Sequence, residues 1–154
     1  MVPSFITDKT SLSAKALFHN PDTACNEQAL QSIICRPGHG QIIDLTVQKQ
    51  FAKSFCVEGF AYSGGGLKVQ KVELSLDAGM TWLYCFRRYP KNSVRYGTKY
   101  YTWCFWYCDV PMKDLVKSPE LRVRAWDATK NTQPDQITWN IMGYVPESNI
   151  VSIQ

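Results

Sequence analysis

Val69-Gln70-Lys71-Val72-Glu73-Leu74-Ser75-Leu76 (VQKVELSL) sets the fold class. Val72, Leu74 and Leu76 point one way, and Lys71, Glu73 and Ser75 the other. A period of two belongs to a strand with one face on a core, because successive side chains of extended backbone project to opposite sides. Asp77-Ala78-Gly79 then turns the chain, and residues 81–86 return as a hairpin partner. The turn has its own chemistry. Asp77 bonds backbone within it, Gly79 takes a positive φ, and Trp82 packs beneath.

On either side of this hairpin the same punctuation recurs. Residues 33–35 form a short apolar run stopped by Arg36-Pro37-Gly38-His39-Gly40, and residues 42–47 resume it. Residues 54–62 (SFCVEGFAY) make a longer run that stops at Ser63-Gly64-Gly65-Gly66, which reads as a flexible hairpin connection. Downstream, residues 101–110 are a long aromatic run and residues 121–125 (LRVRA) alternate again. Residues 127–135 (DATKNTQPD) form a loop, and residues 137–142 a last strand. About seven or eight short strands without helical periodicity between them define an all-β chain. The expected architecture is an immunoglobulin-like antiparallel β-sandwich.

Residues 1–32 read differently. Pro3, Asp8, Asn20, Pro21, Asp22 and Asn26 punctuate a stretch with sparse apolar residues. One short helix is expected over residues 11–18, with Leu12, Ala16 and Leu17 on one side and Thr10 or Ser11 as its cap. The expected organisation is an irregular approach segment or connector, residues 1–32, followed by one domain, residues 33–154.

Composition removes several classes of function. With 45% hydrophobic and 19% charged residues, the chain is too apolar and too weakly charged to be disordered. No run approaches the roughly 20 apolar residues of a membrane helix. The start, MVPSFITDKT, lacks the basic and apolar regions of a secretory signal, so a cytoplasmic location is expected. In that compartment Cys25, Cys35, Cys56, Cys85, Cys104 and Cys108 are expected as free thiols. A net charge of +4 falls short of a dedicated nucleic-acid binder.

The aromatic run carries the partner question. Tyr101, Trp103, Phe105 and Tyr107 lie on one face, and Thr102, Cys104, Trp106 and Cys108 on the other. A strand large and apolar on both faces is central and covered twice. One cover is the core. The other is the approach segment, a neighbouring domain or a second subunit. Tyr101, Trp103 and Trp106 are the candidate interface residues. Just upstream, residues 87–99 hold five basic groups and no acid, which reads as a solvated basic excursion.

Chemistry at a site is poorly supplied. There is no Cys-x-x-Cys, and His19 and His39 stand far apart. Cys104 and Cys108 are roughly 13 Å apart along a strand, too far for one zinc, so no metal site is expected. No spacing pairs a nucleophile with a base. Residues 64–66 lack the Gly-Lys-Ser/Thr ending of a phosphate loop. Residues 75–82 match the Asp-box pattern S-x-D-x-G-x-T-W, but a single copy builds no propeller and implies no glycosidase.

Six segments in order are more specific than any of these. They are residues 59–66 (GFAYSGGG), 72–82 (VELSLDAGMTW), 103–106 (WCFW), 123–127 (VRAWD), 131–134 (NTQP) and 139–143 (WNIMG). Together they resemble the molybdenum-cofactor oxidoreductase dimerisation domain, which follows the cofactor domain in sulfite oxidases and eukaryotic assimilatory nitrate reductases. The resemblance covers roughly residues 24–143, and residues 17–27 (LFHNPDTACNE) look like the connector of fungal nitrate reductases. It implies an immunoglobulin-like sandwich that joins two subunits and closes over the substrate side of the cofactor domain. The implied partners are a second copy and that cofactor domain, with no membrane or nucleic acid. The Mo-molybdopterin cofactor and its cysteine ligand belong to the preceding domain, which this chain lacks. No catalytic residue or metal ligand is therefore expected here, and the chain alone is expected not to reduce nitrate.

Asn140 and Met142 are the implied substrate-side residues of an end-loop. Sulfite oxidases resemble W-N-L-R-G there, with an arginine for the oxyanion, whereas nitrate reductases carry methionine. Met142 thus points to the nitrate branch. A sulfite oxidase-type domain and an unrelated β-sandwich binding module remain the alternatives. After Gly143 the sequence leaves the family pattern, so a fragment is expected, with an open sheet edge if the last strand is missing.

Overall fold

The computed structural model describes residues 6–24, 26–44, 53–92, 95–134 and 150–152. The chain divides into two compact units, Met1–Gln28 with Pro134–Ser148, and Ala29–Gln133 with Asn149–Gln154.

In the first unit, α1 (Leu12–His19) begins at Ser11, whose hydroxyl accepts the Ala14 N–H at 3.1 Å. Asn20 ends it, and the Asn20 side chain then caps a 3₁₀ turn at Pro21–Thr23 by accepting the Asp22 N–H. The cap agrees with the sequence, but the buried side does not. Ala14 is buried and Leu12 is 89% exposed. Two residues along a helix are about 200° apart, so burying Ala14 turns Leu12 outward.

The second unit is an antiparallel sandwich. Its strands are β1 (Gln31–Arg36), β2 (Ser54–Tyr62), β3 (Val69–Ser75), β4 (Leu83–Tyr84), β5 (Phe86–Arg88), β6 (Arg95–Tyr96), β7 (Lys99–Tyr100), β8 (Cys104–Pro111), β9 (Glu120–Asp127) and β10 (Ile150–Ser152). One helical turn, α2 (Met112–Leu115), follows β8. One sheet has the order β1-β2-β8-β5, the other β10-β9-β3-β4, and β6-β7 is a separate hairpin.

The core lies between the two four-stranded sheets. Phe55, Val57 and Ala61 of β2 and Trp106 and Val110 of β8 meet Val72 and Leu74 of β3 and Leu121 and Ala125 of β9. Burying each Val or Leu contributes about 1.5–3 kcal/mol. β8 and β9 alternate buried and outward residues along their whole length, as period-two patterning requires. Gly59 pairs with Trp106 across β2 and β8. A Cβ at Gly59 would collide with the Ile33 carbonyl oxygen and fall 2.7 Å from the Trp106 ring. The missing side chain is what lets the indole lie on the sheet.

Three connections differ from the sequence reading. Residues 81–86 are not one strand. β4 pairs with β3 for two residues, Cys85 donates its N–H to Val72 O at 2.9 Å, and β5 then pairs with β8 in the opposite sheet. The chain crosses the sandwich at Cys85, so its two halves serve different ladders. Gly64–Gly66 likewise joins β2 to β3 across the two sheets and is no hairpin. Its Gly65 and Gly66 both adopt positive φ, which makes the crossover tight. Finally, the tail that departs from the family pattern supplies β10, which pairs with β9 from Ile150↔Arg122 to Ser152↔Glu120. Of the strand expected at residues 42–47, residues 42–44 are irregular and the rest lies outside the described residues, as does the strand expected at 137–142.

Candidate functional site

The two outward sheet faces have opposite character. On the β10-β9-β3-β4 sheet the large rings among the described residues are each engaged by a cation. The Arg124 guanidinium lies 3.7 Å from the Trp82 ring centre and 4.6 Å from that of Trp126, and the Lys71 ammonium sits 4.2 Å from Trp126. Glu73 joins them, accepting from Lys71 at 2.6 Å and from Arg124 at 2.8 Å. Partial burial alone would raise the Glu73 carboxyl, but these two cations outweigh it and hold the carboxyl below its usual value. Tyr84 is approached by Arg87, which donates to its hydroxyl at 2.8 Å. A shallow pocket of about 310 Å³ opens at the end of this face, lined by Gln70, Lys71, Tyr84, Trp126, Asp127 and Lys130. Its one carboxylate is committed: Asp127 accepts from Ser63, from Thr129 and from the Asn131 N–H, organising the loop that follows β9.

On the β1-β2-β8-β5 sheet outward rings meet one another, and among the described residues no cation lies over them. Phe60 meets Trp103 edge to face at 4.7 Å, Tyr62 meets Trp103 at 5.1 Å, and Phe86 stacks on Tyr107 at 5.4 Å. Trp103, Phe105 and Tyr107 are 38%, 44% and 41% exposed. At one end of this face Arg36 and Glu58 stand 4.0 Å apart, both half exposed. The strand pattern explains the rings. β8 puts its even-numbered residues into the core, so the odd-numbered aromatics face outward, and pairing brings Phe60 and Phe86 alongside them.

The candidate interface residues therefore separate. Trp103 is on the outward side against Phe60 and Tyr62, Tyr101 is 44% exposed, and Trp106 is 1% exposed in the core and presents no surface. The structure adds Phe60, Tyr62 and Phe86, which the sequence did not connect to the run because register decides it. Asn140 and Met142 lie outside the described residues. The basic excursion at residues 87–99 is only partly solvated. Arg87 donates to Val69 O at 3.2 Å, and the half-buried Tyr89 hydroxyl accepts the Val69 N–H and donates to its carbonyl.

The Asp box is a self-contained turn. Asp77 accepts the Thr81 N–H and hydroxyl and the Ser75 hydroxyl, and Ser75 in turn accepts the Gly79 N–H. The Thr81 bonds, with those from Ser75, hold the Asp77 carboxyl down to about 2. Ala78 and Gly79 take positive φ, and Trp82 lies under Arg124. These polar groups are turned inward on the loop itself, so the turn offers no ligand site.

An antiparallel sandwich with one outward aromatic face and no metal-binding cluster among its described residues has the build of an association module. Residues 22–149 match the model of the Mo-co oxidoreductase dimerisation domain. The chain belongs to that family. It is 40% identical over 146 residues, 93% of its length, to the NAD(P)H nitrate reductase of Hordeum vulgare. It is equally 40% identical over 93% of its length to NADH nitrate reductases of Zea mays and Arabidopsis thaliana. The chain spans 16%, 22% and 15% of those three proteins. Among solved structures, the sulfane dehydrogenase SoxCD from Paracoccus pantotrophus aligns with 69% of this chain and 23% of its own, at 21% identity and a TM-score of 0.46.

The family's name implies a molybdenum cofactor, and a metal needs a cluster of donors. The described residues contain no group of three or more His, Cys, Asp or Glu side chains that could hold one. Cys85, Cys104 and Cys108 point into the apolar core, and burial raises the Cys104 thiol. These residues do not fit the cofactor, and none of its chemistry falls to them.

Proposed function

We propose that this chain is the self-association module of a nitrate reductase, joining two copies through the outward face of the β1-β2-β8-β5 sheet. One observation carries the reading: among the described residues, the rings of that face have no cationic partner, while those of the opposite sheet do. Water is a poor neighbour for a contiguous aromatic patch, and a second apolar surface is a good one. An isologous dimer needs about 800 Å² from each copy, so the face and its rim would both be engaged. The similarity to nitrate reductases, together with methionine at position 142, supports nitrate as the substrate of the parent enzyme. In that enzyme the Mo-molybdopterin would come from a preceding domain, and Asn140 and Met142 would close its substrate side. The module would work in the cytoplasm. No helix among the described residues is long and apolar enough to cross a membrane.

Sedimentation equilibrium of the reduced chain tests the seam. The wild-type chain is expected to dimerise, and Phe105→Lys, which changes an outward residue only, is expected to be a folded monomer. A Phe105→Lys chain that dimerises as tightly as wild type would place the seam elsewhere. A wild-type chain that stays monomeric would remove the association role.

A further inference from the structure

Cys85 and Cys108 face each other inside the sandwich, and the association role uses neither. Phe86 pairs with Tyr107 and Arg87 with Trp106 in antiparallel register, so one step back from Phe86 and one step forward from Tyr107 sets Cys85 opposite Cys108. The Cys85 N–H is already bonded to Val72 O in the other sheet, so the two cysteines do not share a ladder bond through it. Residues opposed across neighbouring antiparallel strands have Cα atoms about 4.5–5.5 Å apart, inside the roughly 4.4–6.8 Å that a disulfide spans. Both side chains lie in the core between the sheets, Cys85 fully buried and Cys108 7% exposed, and the two thiols interact there. Cys104 lies on the same side of β8 but has a different partner, the Tyr89 hydroxyl.

We propose that Cys85 and Cys108 form a peroxide-reactive dithiol that closes into a disulfide between the β4–β5 crossover and β8. Exposure sets the roles. Cys108 is 7% exposed and Cys85 not at all, so peroxide reaches Cys108 first, making it the attacking group and Cys85 the resolving one. The Cys108 thiolate attacks one peroxide oxygen. The O–O bond breaks, the departing hydroxide takes a proton to become water, and Cys108 is left as a sulfenic acid. The Cys85 sulfur then attacks the Cys108 sulfur. The S–O bond breaks, and the second hydroxide leaves as water with the Cys85 proton. Two thiols lose two electrons and two protons, and one peroxide becomes two waters.

Access comes from the elements that carry Cys85. β4 has two residues, and β5 has three at a sheet edge. Short edge strands open at lower cost than the strands around them, which is enough for a molecule the size of peroxide. The product would be a staple between the sheets, since the crossover is tied to β3 through the Cys85 N–H and would be tied to β8 through sulfur.

The test treats the folded, reduced chain with hydrogen peroxide, blocks remaining thiols with iodoacetamide and maps tryptic peptides by mass spectrometry. The expected product joins peptide 72–87 to peptide 100–113, two hydrogens lighter than their sum, and dithiothreitol separates them again. Cys104→Ser is expected to keep the link, because 104 and 108 share a peptide and only 108 is used. Cys85→Ser is expected to lose it and to leave Cys108 as a dimedone-reactive sulfenic acid. The wild-type map shows whether the link forms, and Cys104→Ser shows which cysteine of peptide 100–113 carries it. Oxidation that spares Cys85 and Cys108 in the folded chain while modifying Cys35 and Cys56 would overturn the proposal. So would a link that forms only in denaturant, or one that joins Cys85 to Cys104.

Discussion

Among single residues, the space left by a missing side chain and the bonds gathered by one carboxylate have the clearest consequences. Gly59→Ala would drive a methyl group into the Ile33 carbonyl and the Trp106 ring, and backbone has no flexible end to yield. The expected loss is about 3 kcal/mol or more, at the top of the usual overpacking range, read as a lower denaturant midpoint in urea melts. Asp77 is a case of linkage. Its folded value near 2 lies below the ordinary 3.8, so the folded state binds this proton less readily than the unfolded one. The turn's stabilisation is therefore complete above 3.8 and fades as pH falls toward about 2. Thermal melts of wild type and Asp77→Asn should differ at neutral pH and converge across that acid window. A difference that stays constant down to pH 2 would contradict the assigned bonds.

For strands and their connections, alternation along β3, β8 and β9 was legible in sequence because it needs only the geometry of extended backbone. Pairing was not. Residues 81–86 look like one return strand, yet Cys85 leaves one sheet for the other, since its small buried side chain fits between the layers where the chain must cross. The Trp82–Arg124–Trp126–Lys71 row also arises only from pairing, as β3 and β9 set Glu73 beside Arg124. Arg124→Ala removes two ring contacts and an ion pair at a partly exposed site. A loss of about 1 kcal/mol in urea melts is expected, with dimerisation unaffected. Weaker association of Arg124→Ala at unchanged stability would move the seam to that face.

For the molecule as a whole, the proposed role depends on a partner domain that supplies the cofactor. When that domain is added in trans, Met142→Arg is expected to restore a cation near the bound oxyanion and shift preference from nitrate toward sulfite, read as a changed ratio of kcat/KM values. Unchanged kinetics in the complemented enzyme would remove Met142 from substrate choice. The family was readable from sequence because six motifs stand in a fixed order across most of the chain. The candidate surface was only half readable. Trp103 meets Phe60 and Tyr62 of β2 on the outward side, whereas Trp106, offered with it as an interface candidate, belongs to the core.

Strand periodicity, the turn chemistry of residues 75–82, the Ser11 cap and the family all follow from the amino acids in order, because each rests on neighbours along the chain. Three things waited for the folded chain: which face of β8 is buried, where the backbone crosses between sheets, and which two of the core cysteines stand opposite each other. A period of two says that faces alternate and leaves open which one meets the core. That choice belongs to Gly59, where the bare backbone admits the Trp106 ring, and to the register that sets these residues opposite each other.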